Sequence, residues 1–177
     1  MVNPSTHGTI ITLLCMIAFC LGCDQTSRSP GVSPLVPKVI QGPQPEGGPK
    51  ELTYELSLES ISPPSPRPGE SITVDFWLII PPNEPAPSFV QLKVLGRGDV
   101  SYDSSPAELK DKQSDRELRF QGRLRAPKRP GRYTIAVEAI QTTIYTAGDE
   151  PTTKDLTFRG PLDTIRVKQE HHGEGHH

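Results

Sequence analysis

The sequence predicts an all-β protein folded as an antiparallel sandwich, and three observations carry that expectation. Apolar residues recur at every second position in segment after segment, which is the period of a strand with one buried face. Between these segments lie breaks rich in Pro and Gly, drawn from 20 Pro and 15 Gly among 177 residues, and such breaks read as turns. No segment shows a 3.6-residue apolar period and no internal repeat is visible. Six to eight short strands follow from this pattern. A hydrophobic content of 33% at this length is enough for one core with extensions, and too little for two.

The clearest strand lies within residues 68–82. Ile72, Val74, Phe76, Leu78 and Ile80 alternate there with Thr73 and Asp75. Pro68-Gly69 supplies the turn that leads in, and Pro81-Pro82 ends the strand because proline has no N–H for a ladder and a fixed φ. It reads as a central strand. Upstream, Leu52, Tyr54, Leu56 and Leu58 alternate with Thr53, Glu55, Ser57 and Glu59, which makes a first strand. The Ser62-Pro63-Pro64-Ser65-Pro66-Arg67 run between them reads as a rigid connection rather than a PxxP ligand.

Downstream, Val90, Leu92 and Val94 form the apolar face of a third strand over residues 89–95. It breaks at Gly96-Arg97-Gly98-Asp99, where the Arg-Gly-Asp spelling is ordinary turn chemistry. Residues 100–113 are polar and weakly patterned; a short edge strand around Tyr102 and a loop or helical turn from Ala107 to Lys112 are expected. Leu118, Phe120, Gly122 and Leu124 then alternate with Arg119, Gln121, Arg123 and Arg125. Tyr133, Ile135, Val137 and Ala139 open a strand that can run on to Tyr145, and Leu156 and Phe158 open the last one. In that last strand the apolar positions change from even to odd at Ile165 and Val167, beside Gly160-Pro161, as a bulge or a strand changing sheets would require.

Two stretches resemble known domains. Arg67-Pro68-Gly69-Glu70-Ser71-Ile72-Thr73-Val74 and Pro130-Gly131-Arg132-Tyr133-Thr134-Ile135-Ala136-Val137 resemble the second and penultimate strands of bacterial immunoglobulin-like or fibronectin-type-III-like domains. The resemblance implies an antiparallel immunoglobulin-like β-sandwich of about seven strands over residues 51–168, with Tyr133 in the tyrosine-corner position. Ile135 stands where an antibody domain carries cysteine, and the single tryptophan, Trp77, lies on the second strand. The disulfide-linked antibody type is therefore excluded.

Cys15, Cys20 and Cys23 are the only cysteines, so the folded part has no disulfide. Residues 10–21 form a mostly apolar run, shorter than the roughly 20 residues that cross a bilayer as a helix, and they fit the apolar core of a signal peptide. The run ends in Cys20-Leu21-Gly22-Cys23-Asp24, which resembles the lipobox of bacterial lipoproteins. That resemblance implies a signal peptide over residues 1–22, a lipid on Cys23, and attachment to a membrane of the cell envelope on the periplasmic or outer side. Residues 23–50 then serve as a lipidated N-terminus and tether, because Pro30, Pro34, Pro37, Pro43, Pro45 and Pro49 favour an extended chain of about 3.1 Å per residue. Residues 169–177 form a His-rich tail.

Composition and residue placement also bound the chemistry. A formal net charge of -2 offers no global field to a nucleic acid. Between Thr9 and Glu170 there is no histidine, and after Cys23 no cysteine, so a Ser-His-Asp or Cys-His site inside the domain is impossible. The carboxylate pairs Asp99 with Asp103 and Asp149 with Glu150 fall in turn-like segments, and neither a calcium loop nor a phosphate loop occurs. A non-enzymatic protein is expected.

The basic run Arg116, Arg119, Arg123, Arg125, Lys128, Arg129 and Arg132 is opposed only by Glu117. Alternate strand positions are about 6.6 Å apart, so Arg119, Arg123 and Arg125 line one face, with Arg129 beyond, as a candidate polyanion-binding set. The same residues can serve as a solvated face that guards an edge strand, with Glu and Asp partners from neighbouring strands. Trp77 is either packed under a neighbouring loop or an exposed anchor for a partner. In the tail, His171, His172, His176 and His177 can offer imidazoles to Zn, Ni or Cu, weakly, since ordering a flexible end costs entropy. No other cofactor is implied. These readings combine into an envelope-anchored binding or structural module whose partner is an envelope protein or a polyanionic polymer. The alternative is a periplasmic metal-handling protein that uses its tail.

Overall fold

A computed structural model of the chain describes residues 35–44, 46, 51–147 and 150–169. Within them the alternating segments form β1 (Lys38–Ile40), β2 (Glu55–Ser62), β3 (Ser71–Ile79), β4 (Phe89–Leu95), β5 (Ser101–Pro106), β6 (Glu108–Ser114), β7 (Glu117–Arg125), β8 (Gly131–Tyr145) and β9 (Thr152–Val167). One sheet has the order β2-β3-β7-β6, and in the other β9, β8, β4 and β5 are neighbours in turn. With β2 as the first strand and β5 as an added neighbour of the third, β2, β3, β7 and β6 take the places of the first, second, fifth and fourth strands of the seven-stranded immunoglobulin plan in one layer, and β4, β8 and β9 those of the third, sixth and seventh opposite. The fold is thus an immunoglobulin-like antiparallel sandwich, with eight main strands where about seven were expected.

The period-two pattern explains the layers. Ile72, Val74, Phe76 and Leu78 of β3 are fully buried, as are Leu92 and Val94 of β4 and Ile135 of β8. The inner faces of the two sheets meet along these residues, and the Phe76 and Phe120 rings stack with centroids 5.6 Å apart. Gly122 marks a close approach of the layers: a Cβ there would lie 2.4 Å from Leu92 Cδ1. β3 is central, paired with β2 on one side and β7 on the other. Its leading turn is a type II turn, with Glu70 N–H donating to Arg67 C=O at 3.1 Å and Gly69 at φ 74°, the conformation that position requires.

The irregular positions also have local causes. Ile135 pairs with Asp163 and Ala136 with Pro161, so Leu162 is the extra residue of a bulge. The parity change is therefore a bulge inside one continuous strand, and β9 does not change sheets. β2 has a similar irregularity between Leu58 and Ser60, which lets Leu58 and Ile61, of opposite parity, both pack on the core.

The sheet change occurs elsewhere. β5 pairs with β4 and β6 pairs with β7, and the crossing is at Ala107, whose N–H donates to Val90 C=O at 2.9 Å. The expected loop or helical turn over residues 107–112 is thus corrected to a strand. β6 buries little beyond Leu109, so no alternation was present to signal it.

A second correction concerns the tether. Lys38–Ile40, placed in it by composition, run parallel to Thr143–Tyr145 of β8, beyond the point where β4 leaves that edge. Leu35 packs against the core as well. The Arg-Gly-Asp segment is a single 3-10 turn, with Gly98 at φ 70° and Gly96 N–H donating to Val100 C=O at 2.9 Å. Trp77 faces outward, half-buried, in register with Ser57 and Arg119. It is neither part of the core nor a fully exposed anchor.

Candidate functional site

Each sheet carries a carboxylate near the middle of its outer face, ringed by donors from the flanking strands. On β3, Asp75 is 8% exposed. It accepts from Ser60 Oγ at 3.1 Å and from Gln121 Nε2 at 2.9 Å, and lies 3.5 Å from Arg119 Nη2. Arg119 in turn donates through Nε to Glu59 at 2.5 Å, and that hydrogen bond is the main cause of its raised pKa. Glu59 can reach it because it sits at the β2 irregularity.

On β8, Glu138 is 5% exposed. It is bonded to Gln91 at 2.5 Å, to Lys93 at 2.9 Å and to Arg159. Gln91, Glu138 and Arg159 stand opposite one another in register across three strands. Burial pushes the Glu138 carboxyl up, but the bonds from Lys93, Gln91 and Arg159, with the Lys93 charge, outweigh it and hold the group below its ordinary range. Both carboxylates are therefore structural anions, satisfied from two sides.

The four arginines singled out from the sequence do not form one surface. Arg119 is committed to Glu59 and Asp75. Arg123 stands opposite Thr73 and contributes its positive charge to Glu108, whose carboxyl is held low chiefly by the bond from Lys110. Arg125 is exposed on β7 beyond the end of the β6 pairing, where its backbone N–H donates to Asp103 Oδ2 at 2.6 Å. The Asp103 carboxylate thus takes the place of a missing ladder partner. Arg129 lies in the turn between β7 and β8, and its carbonyl accepts the Tyr133 hydroxyl at 2.8 Å. That bond is the tyrosine corner the resemblance implied, with the hydroxyl reaching back to the backbone upstream.

A basic rim at this end of the sandwich was only half visible in the sequence. Arg132 on β8 stands directly opposite Arg166 on β9, with Lys128, Arg129 and Lys168 also exposed nearby in the chain. Arg166 and Lys168 were missed, although the parity change gave a signal: with Ile165 and Val167 inward, the residues between and after them must face out.

Two open grooves flank these features. One, of about 470 Å³, lies on the outer face of the β9-β8-β4 layer, lined by Lys93, Leu95, Thr134, Ala136, Arg159 and Pro161 among others. The other, about 370 Å³, lies at the sheet change, lined by Ser105, Pro106, Glu108, Lys110, Gln121 and Arg123. Among the described residues no group of three or more His, Cys, Asp or Glu could hold a metal ion, and no helix is long and apolar enough to cross a membrane. Cys23, Asp149 and the tail histidines His171, His172, His176 and His177 lie outside the described residues. Comparison with protein families, with curated proteins and with solved structures finds no match.

Proposed function

We propose that this chain is a non-enzymatic binding or structural module of the bacterial cell envelope, held at a membrane by a lipid on Cys23 and acting through its surface. The observation that carries the reading is the division of its charges. The two buried carboxylates, Asp75 and Glu138, are both satisfied by cross-strand partners, which supports a role in holding the sheets rather than in acid–base chemistry. The cations of the β7–β8 turn and the adjoining strand ends carry no carboxylate within ion-pair distance among the described residues, which supports contact with an outside anion. An envelope polymer or an envelope protein with an acidic face fits that chemistry; a nucleic acid does not fit the overall charge.

Because Leu35 packs on the core and β1 pairs with β8, only residues 24–34 are left to separate Cys23 from the domain, and eleven residues span at most roughly 34 Å at polyproline extension. The module therefore works close to its membrane. The test is acyl labelling and membrane fractionation of the chain and its Cys23→Ser variant in a bacterial host. Loss of label and release of the variant into the soluble fraction are expected. Unchanged fractionation with the membrane would overturn the anchoring.

A further inference from the structure

Arg132 and Arg166 are Cα partners across β8 and β9, and residues so opposed hold their Cβ atoms about 4.5–5.5 Å apart on the same face. Both side chains are exposed, and neither has an ion-pair partner among the described residues. Like charges directly opposite each other destabilise a sheet; elsewhere in this domain Lys93, Lys110, Lys112, Arg119 and Arg159 are paired with carboxylates, and Arg123 and Lys154, which are not so paired among the described residues, stand opposite Thr73 and Thr143 rather than another cation. The uncompensated pair is the exception.

Its surroundings are fixed. Lys168 N–H donates to Pro66 C=O at 3.0 Å, and Ala126 exchanges backbone bonds with the β2–β3 connection, its N–H donating to Glu70 C=O at 2.8 Å and its C=O accepting from Gly69 N–H at 3.1 Å. The Tyr133 hydroxyl clamps Arg129, and Tyr133 is itself braced edge-on by Tyr102, with centroids 5.2 Å apart. Three strand ends are thus tied into one frame that presents Arg132 and Arg166 with Arg129, Lys128 and Lys168 at its border.

We propose that this rim is a binding site for a phosphate or phosphodiester group, bracketed by the Arg132 and Arg166 guanidinia. Each guanidinium offers a planar fork of N–H donors that matches oxyanions in bidentate fashion. One carboxylate has two oxygens and saturates one fork; a tetrahedral phosphate has enough acceptors for both and neutralises the repulsion that opposes them. The bordering cations favour a ligand that repeats its phosphates, whether a soluble polymer or a sheet of anionic lipid headgroups. This inference rests on the reading of the protein as a surface-binding module and does not depend on the lipid at Cys23.

The test uses the full chain in the Cys23→Ser background, so that an acyl chain contributes nothing. Binding is measured in about 50 mM salt, where surface charges are only partly screened, to two probes: inorganic polyphosphate, and vesicles of phosphatidylglycerol in phosphatidylcholine. Arg132→Ser with Arg166→Ser is expected to lower affinity for the bound probe by about tenfold per guanidinium, the cost of losing one charged hydrogen-bonding group. A control carrying Lys112→Ser and Lys154→Ser makes the same change in net charge away from the rim and is expected to bind as the parent does. Binding to polyphosphate alone assigns a soluble polymer, and binding to vesicles alone assigns headgroups. Binding to neither probe overturns the site, as does an equal loss in the rim and control variants, since only overall charge would then matter. Because the Cys23→Ser comparison separately tests the membrane anchor, failure of either result leaves the other intact.

Discussion

Two groups of cations in this sandwich, one around the mid-sheet carboxylates and one at the β7–β8 end, behave in opposite ways. At mid-sheet, Lys93 and Arg159 converge on Glu138, and Arg119 bridges Glu59 and Asp75. At the end, Arg132 faces Arg166 with no anion between them. The difference teaches which charges are part of the fold. A carboxylate on a central strand is flanked on both sides and loses most of its water, so it persists only where neighbouring strands supply donors. At a strand end, solvent remains available, and like charges can stand together at small cost.

The largest effect should come from removing a mid-sheet anion. Glu138→Ala leaves Lys93, half-buried, and Arg159 facing each other across an empty centre. A loss of about 2 kcal/mol of stability is expected, because charged hydrogen bonds to a buried carboxylate are removed and the half-buried Lys93 loses its counter-ion. Chemical denaturation of the two proteins checks this; a loss under about 1 kcal/mol would mean the network is solvated like a surface pair and would erase the contrast.

The pH dependence sharpens the same point. The Glu138 carboxyl titrates below its ordinary range in the folded state, so its contribution is present above the unfolded pKa of about 4.3 and is lost as pH falls through the folded value. The stability gap between the parent and Glu138→Gln should therefore be constant near neutrality and shrink below about pH 4. A gap that grows on acidification would reverse the sign of the argument.

Tyr133→Phe probes the boundary between the two regions. It deletes the hydroxyl that bonds Arg129 C=O and leaves a half-covered carbonyl, for an expected loss of about 1 kcal/mol. The ring stays in place, so the Tyr102 contact and the core beneath should be retained, and phosphate binding at the rim should weaken less than with the arginine changes. Equal weakening would assign the recognition to the turn backbone instead.

What could be foreseen follows from where each strand lies. β3, β4 and β7 are flanked on both sides for much of their length and packed on one face, so their alternation was complete and their registers of inward residues were readable. β6 is an edge strand whose apolar contribution inward is nearly limited to Leu109, and an edge that packs so little leaves no period in the sequence. β1 is held by backbone pairing over three residues between prolines, a context in which side chains carry no signal at all. The arginines were visible, but their states were not. Arg119 is neutralised by Glu59, distant in sequence and placed at an irregularity in β2, whereas Arg132 meets Arg166 only in a register set by the bulge at Leu162. Alternation tells which way a side chain points; the pairing that decides its charge environment depends on bulges, and bulges shift it by one residue at a time.

The smallest expected effect on stability is the most informative about the rim. Replacing Arg132 and Arg166 together by serine removes two like charges that oppose each other and no hydrogen bond, so stability should be unchanged or rise by up to about 0.5 kcal/mol at low salt. Near 1 M salt, where the screening length is about 3 Å, that gain should vanish. Adding inorganic polyphosphate should reverse the order, stabilising the parent above the variant, because a ligand that binds the native state raises its stability by mass action. A loss above about 1 kcal/mol without any ligand would be too large for an exposed like-charge pair. It would place these arginines among the structural charges with Lys93 and Arg119, and the two groups would no longer differ.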